Sequence, residues 1–258
     1  MLRKRIIFTL IYNQGGFMQS RNFRLQRVGN VNWLERNYKF RQISFSLDEL
    51  IILNASRGNK EMASFAAVVS ELAENVYIPV AAGGGIRCME DAEILFTNGA
   101  DKIVLNTLLY ENPELVKEIV KRYGSQSVVA SVDYKKTNHG IEVFIRDGQW
   151  KVPSSLEEYI HYLCLLDIGE IYLNSMDQDG TGFGYDLTTI NNITSHIQVP
   201  LIIAGGAGNE KHLLEGLKVE GVNAVATANL FNFMGNGLPN ARKRLIEYGE
   251  NLAKWEKV

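Results

Sequence analysis

Ile78-Pro79-Val80-Ala81-Ala82-Gly83-Gly84-Gly85 and Val199-Pro200-Leu201-Ile202-Ile203-Ala204-Gly205-Gly206 are two versions of one segment, 121 positions apart in a chain of 258 residues. Each carries a proline near its start and runs through apolar residues into glycines, the pattern of a buried strand that feeds a tight loop. Each is followed by a second matching element. Gly99-Ala100-Asp101-Lys102-Ile103-Val104-Leu105-Asn106-Thr107 corresponds to Gly221-Val222-Asn223-Ala224-Val225-Ala226-Thr227-Ala228-Asn229 at an offset of 122. Residues 7–12 overlay 129–134 at the same offset. A period near half the chain length marks an internal duplication.

Outward from these segments, short apolar runs alternate with stretches of helical period. The predicted strands are 5–11, 49–54, 78–82, 102–105, 127–133, 170–174, 200–204 and 224–228. The predicted helices are 33–40, 61–74, 90–98, 113–122, 156–166, 187–196, 211–217 and 240–254. Apolar strands separated by amphipathic helices imply a parallel sheet covered by helices. Eight such units in this length fit one closed (β/α)8 TIM barrel, a single domain built from duplicated half-barrels of about 1–123 and 124–258. In the fifth unit, residues 141–152 alternate around Asp147-Gly148, which predicts a hairpin excursion on the face of the βα loops.

Composition narrows the function. Lys+Arg number 27 against 29 Asp+Glu, for a net charge of −2, which argues against a general nucleic-acid binder. Small anions stay open, because backbone N–H groups build phosphate sites at no cost in net charge. No stretch approaches a membrane span, and the apolar run at 6–12 reads as a first strand rather than a signal peptide. Cys88 and Cys164 show no C-x-x-C or zinc-type spacing, so a reduced, cytoplasmic chain without metal or cofactor is expected.

In a barrel the residues just after strands form the working face. Gly83-Gly84-Gly85 with Asn106-Thr107, and Gly205-Gly206-Ala207-Gly208 with Ala228-Asn229, read as two symmetric phosphate sites; the alternative is that the glycines only permit tight turns. Asp177-Gln178-Asp179-Gly180-Thr181 begins like a calcium loop, but its twelfth position is Thr188, so a polar ligand loop with Gly180-Thr181 reaching a phosphate is preferred. Asp133 ends the fifth strand, where a carboxylate can act as general acid or base or simply cap the next loop. Its repeat partner is Ile11. Arg5, Glu49, Lys102 and Glu170 begin strands and, by alternation, point inward at the barrel floor, as separate ion pairs or as one ring.

Lys4-Arg5-Ile6-Ile7, Gly83-Gly84-Gly85-Ile86-Arg87, Gly99-Ala100-Asp101-Lys102, Glu111-Asn112-Pro113, Gly124-Ser125-Gln126, Ser175-Met176-Asp177-Gln178-Asp179-Gly180-Thr181, Gly184-Tyr185-Asp186 and Gly205-Gly206-Ala207-Gly208 resemble, in order along nearly the whole chain, HisF, the cyclase subunit of imidazole glycerol phosphate synthase. The resemblance implies a glutaminase partner of the HisH type docked at the barrel's bottom and ammonia passing up the barrel to a phosphorylated substrate. It assigns Arg5, Glu49, Lys102 and Glu170 to an ammonia gate and Asp101 to the partner interface. Gly85, Asn106 and Thr107 become contacts for one phosphate, and Asp179, Gly180, Gly206, Ala228 and Asn229 for the other. Asp133 becomes one of two catalytic aspartates, the general base.

The second catalytic aspartate is replaced by Ile11. Gln19 stands for the family's lysine, Asn54 for an aspartate, and Ala204 and Asn229 for serines. An isoleucine carries no proton, and losing an acid or base group costs roughly 10²–10⁴-fold. The pattern leads to a synthase subunit that uses ammonia on a phosphorylated or nucleotide-linked substrate, read first as a paralogue that amidinates or amidates a surface-polysaccharide sugar. The alternatives are a genuine imidazole glycerol phosphate cyclase of histidine biosynthesis and a non-catalytic, ammonia-conducting partner of a glutaminase.

Overall fold

The computed structural model of the chain describes residues 3–58 and 60–254. Strand β1 (Arg5–Asn13) is the first apolar run, and it continues past Ile11 into an antiparallel ribbon with β2 (Gly16–Arg21) and β3 (Arg24–Gly29). Helix α1 (Val31–Tyr38) starts at Asn30, whose side chain accepts the Trp33 N–H at 3.1 Å. It stops at Lys39, where φ of +50° breaks the predicted 33–40 helix before the short α2 (Phe40–Ile43).

The remaining elements alternate as expected: β4 (Glu49–Asn54), α3 (Met62–Ala73), β5 (Val80–Gly83), α4 (Met89–Thr97), β6 (Lys102–Leu105), α5 (Thr107–Glu111) and α6 (Pro113–Tyr123). After β7 (Val128–Thr137), β8 (Gly140–Ile145) and β9 (Trp150–Ser155) come α7 (Leu156–Cys164), β10 (Glu170–Ser175), α8 (Leu187–Ile193), β11 (Leu201–Ala204), α9 (Glu210–Lys218), β12 (Val222–Thr227) and α10 (Gly237–Glu247). The last helix ends short of the predicted Lys254, at Glu247, because Gly249 turns the chain with φ of +88° and Leu252 returns to bridge Lys4.

Eight strands, in the order β1, β4, β5, β6, β7, β10, β11, β12 and back to β1, pair in parallel and close the barrel. Alternation divides their side chains into two cores. Ile6, Phe8, Leu10, Leu50, Ile52, Ile103 and Leu173 face the helices, whereas Ile7, Ile51, Ala81, Val104, Val129, Tyr172 and Ile202 fill the interior.

The duplication recurs in the geometry. Val80 N–H donates to Asp101 Oδ2 at 2.8 Å, and its counterpart Leu201 N–H donates to Asn223 Oδ1 at 2.9 Å. Gly84 and Gly205 take φ of +97° and +86°, and a Cβ on either would strike the backbone of Asn54 or Ser175 at the end of the neighbouring strand. These glycines are fixed by close approach as well as by conformation.

The excursion around Asp147-Gly148 is present: β7 runs on to Thr137 and pairs with β8, which pairs with β9. Its turn puts Arg146, Asp147 and Gly148 all at positive φ. The β2–β3 ribbon was not expected from sequence. Its turn is Asn22-Phe23, both at positive φ, and β3 is largely exposed, so neither a strong turn dipeptide nor apolar alternation announced it.

Candidate active site at the barrel mouth

The four charged residues at the strand starts meet on the barrel floor as one ring. Arg5 Nη1 lies 2.7 Å from Glu49 Oε2 and 3.1 Å from Glu170 Oε1, and Lys102 Nζ lies 3.0 Å and 3.2 Å from the same two carboxylates. Each cation touches both anions, so the charges alternate around the axis. Burial pushes the Glu49 carboxyl above its ordinary value against the pull of Lys102 and Arg5. Desolvation works against the Arg5 charge as well, but Glu170 and Glu49 outweigh it and raise its pKa. Beside this ring, Asp101 is exposed on the lower rim with its carboxylate accepting the Val80 N–H. The loops at the same end carry exposed Phe45, Tyr77, Leu165 and Tyr248.

Above the floor the interior is apolar up to Thr9 and Tyr172, whose hydroxyls meet at 3.2 Å across the barrel. At the mouth, Asp133 stands at the C-terminal end of the barrel part of β7. Asn174 Nδ2 donates to its Oδ1 at 2.8 Å and Asn106 Nδ2 to its Oδ2 at 3.3 Å. Both oxygens are thus oriented by amides, yet burial dominates and pushes the carboxyl up to about 7, with Asp179 and Asp147 adding in the same direction. A carboxyl so placed is suited to proton exchange near neutral pH.

A narrow cavity at the mouth is walled by Thr9, Ile11, Leu53, Tyr172 and Asn174 on one side. Asp179, Gly180, Gly206, Ala228 and Asn229 close the other side, so the second glycine-rich set is brought together with Ile11. Gly85, Asn106 and Thr107 form a separate set at the ends of β5 and β6. The Thr107 hydroxyl accepts the Arg146 N–H at 3.1 Å, which seats the β8–β9 turn over that end.

The β2–β3 ribbon covers the opposite end. Ser20 Oγ donates to Asp179 Oδ2 at 2.5 Å, and Phe23 N–H donates to the same oxygen at 3.0 Å. Gln19 Oε1 accepts the Leu230 N–H at 2.8 Å. Asp179, which lines the mouth cavity, thus also clasps this ribbon, and Asn229 Oδ1 caps Phe231 and Asn232 N–H. Burial raises the Asp179 pKa despite those donors.

Three residues of the site escaped sequence reading. Asn174 and Tyr172 sit inward on β10 by simple alternation from Glu170, a signal that was present and unused. Lys60, ahead of α3, reaches back to donate to the Asn54 carbonyl at 3.1 Å and lies 3.3 Å from Asp147 Oδ1; its position depends on loop path, which no periodicity encodes.

Fold and site define a (β/α)8-barrel protein with a charged floor, an apolar bore and a working face at the strand C-termini. A family model described as histidine biosynthesis protein matches residues 26–236. The chain is 46% identical over 256 residues, 99% of its own length and 95% of the relative's, to the "Putative imidazole glycerol phosphate synthase subunit hisF2" of Parasynechococcus marenigrum (strain WH8102). It is 37% identical over 252 residues to the imidazole glycerol phosphate synthase subunit HisF of Chloroherpeton thalassium, covering 96% of this chain and 98% of that one. The HisF of Pelodictyon phaeoclathratiforme is 35% identical with the same coverage. This chain belongs to the HisF family of histidine biosynthesis proteins.

Proposed function

We propose that the chain is the ammonia-consuming synthase subunit of a two-part glutamine amidotransferase, and that it is a paralogue whose acceptor is a phosphorylated or nucleotide-linked sugar of surface polysaccharide rather than the histidine-pathway intermediate. The observation that carries this is that the position opposite Asp133 carries no carboxylate: Asp133 has Asn106 and Asn174 as its side-chain partners, while Ile11 contributes an apolar wall on the opposite side of the barrel. Acid–base chemistry that needs two opposed carboxylates has one.

A glutaminase would dock against the lower face, where Phe45, Tyr77, Leu165 and Tyr248 offer apolar contact around the ion ring. Ammonia enters as the neutral molecule when the ring of Arg5, Glu49, Lys102 and Glu170 parts, and the apolar side chains of the bore above it offer no acidic group to protonate it to ammonium. At the mouth ammonia adds to an electrophilic C=O or C=N carbon of the acceptor, whose π pair moves onto the heteroatom, and the ammonium nitrogen so formed gives a proton to ionised Asp133, which passes it to that heteroatom. Backbone N–H groups at Gly85 and Gly206 hold the acceptor's two anionic ends.

The reading as a genuine imidazole glycerol phosphate cyclase rests on one specific finding, the printed names of relatives that align with nearly the whole chain. The test is ammonium-dependent turnover of the purified chain on the bis-phosphorylated aminoimidazole-carboxamide substrate, with rescue of a histidine auxotroph that lacks its own cyclase. No turnover and no rescue, together with activation of a cognate glutaminase on mixing, is expected. Robust turnover or rescue overturns the paralogue reading, and failure to activate any glutaminase overturns the amidotransferase reading.

A further inference from the structure

The two glycine-rich ends are alike in backbone but not in charge. At the Gly206 end the neighbours are the Gly184 carbonyl and the stem of Gln178. At the Gly85 end the neighbour is a lysine: a Cβ on Gly85 would fall 2.9 Å from Lys60 Cδ, so the Lys60 stem lies across the glycine turn. The Lys60 side chain is only 12% exposed, and its ammonium is held by the Asn54 carbonyl and by Asp147 Oδ1 at 3.1 Å and 3.3 Å. One of its three N–H donors has no partner among these. The counterpart stretch in the second half is Thr181-Gly182, which brings no charge.

Resting on the reading that the two glycine turns hold anionic groups, we infer that Lys60 is a specificity-determining residue: it makes the Gly85–Thr107 end the cationic one, the end that takes a phosphoryl monoester dianion and so fixes which way round an unsymmetrical acceptor lies. Asp147 on the β8–β9 turn occupies the ammonium while that end is empty. An arriving phosphoryl group has more charge and a better hydrogen-bonding geometry than this long, partly exposed pair, and it displaces Asp147 from Lys60. Phosphoryl binding and release of the Asp147 contact are then one event.

A purely structural Lys60–Asp147 latch predicts that removing either partner does the same thing. The present inference predicts opposite effects. Inorganic phosphate is titrated into the full-length 15N-labelled chain, reading the Gly85, Thr107 and Gly206 amides separately. Lys60→Met should weaken the Gly85 and Thr107 response about tenfold, as loss of one charge-assisted contact requires, and leave Gly206 unmoved. Asp147→Asn should tighten the same response, and Lys60→Arg should retain it, which also guards against a folding artefact. Unchanged binding in Lys60→Met, or equal weakening by Lys60→Met and Asp147→Asn, overturns the inference while leaving the two anionic ends in place. No response at any glycine turn in the unaltered chain overturns both.

Discussion

Ile11 and Asp133 stand at the mouth on strands that lie diametrically opposed in the barrel, β1 and β7 being four places apart in the closed order of strands. One contributes an aliphatic wall to the mouth cavity and the other a carboxyl clasped by two amides. The duplication makes these equivalent positions, so the asymmetry of the site is an asymmetry between repeats.

Restoring a carboxylate there tests how much rests on one residue. Ile11→Asp is expected to give no cyclisation of the aminoimidazole substrate, because Gln19 is committed to the Leu230 N–H and Asn54 to the Ser56 N–H, and neither supplies the charge the family has there. The new carboxyl would face Thr9, Leu53 and Tyr172. Its desolvation should cost about 2 kcal/mol at pH 8 and less at pH 5, where it is largely neutral. Urea denaturation at the two pH values reads the cost, and measurable ammonium-dependent product from this single variant would mean that Ile11 alone accounts for the departure.

Asp133 also has a predicted signature in stability. Its carboxyl titrates at about 7 in the folded chain and near 3.9 when unfolded. The folded state therefore holds the proton more tightly, and the stability gained at low pH is lost as pH rises from about 4 to about 7, by at most about 1.4 kcal/mol per unit. Asp133→Asn removes that slope. Its midpoint should exceed that of the unaltered chain most clearly above pH 7, and its ammonia-dependent activity should be abolished. In the unaltered chain the same titration predicts a rate that falls tenfold per unit below pH 7. A pH-independent stability difference between the two proteins would show that the Asp133 carboxyl is not desolvated as described.

What could be read from residues alone follows from what repeats. Parallel strands are short, apolar and bounded by glycine or charge, so Glu49–Asn54 and Lys102–Leu105 emerge with their observed limits, and the inward parity of Arg5, Glu49, Lys102 and Glu170 leads to the floor ring. The mouth was harder. Asp179 lines the mouth cavity, but its clasp on Ser20 is not legible in the sequence, because the strands of that ribbon carry no regular pattern. Such contacts between two loops depend on where each loop is led by the barrel, and Lys60 over Gly85 belongs to the same kind.

The ribbon should open when its clasp is cut. Ser20→Ala leaves the Asp179 carboxylate with the Phe23 N–H as its remaining ribbon donor among those described, beside the Asn22 N–H on the Asp179 carbonyl, and should cost about 1 kcal/mol. Hydrogen exchange is the sharper measure. Amides of β2 and β3 should exchange faster while those of β4 and β5 do not change, since the ribbon is an addition to the barrel rather than part of it. Equal acceleration throughout would mean that Ser20 supports the barrel as a whole.

The floor ring offers a different kind of test, because its members are mutually dependent. Glu49 is the most buried of the four and touches both cations. Glu49→Gln keeps the shape but leaves Arg5 and Lys102 to share Glu170, an excess of positive charge on a largely buried floor. Breaking a buried ion pair from one side costs about 3 kcal/mol, and denaturant unfolding should register a loss of that order. If the ring is also the entrance for ammonia, the variant should lose glutamine-dependent activity more than activity supported by ammonium salts. A loss below about 1 kcal/mol would place the ring among exposed ion pairs of little weight. Equal loss with both nitrogen sources would mean that the ring holds the floor together without controlling passage through it.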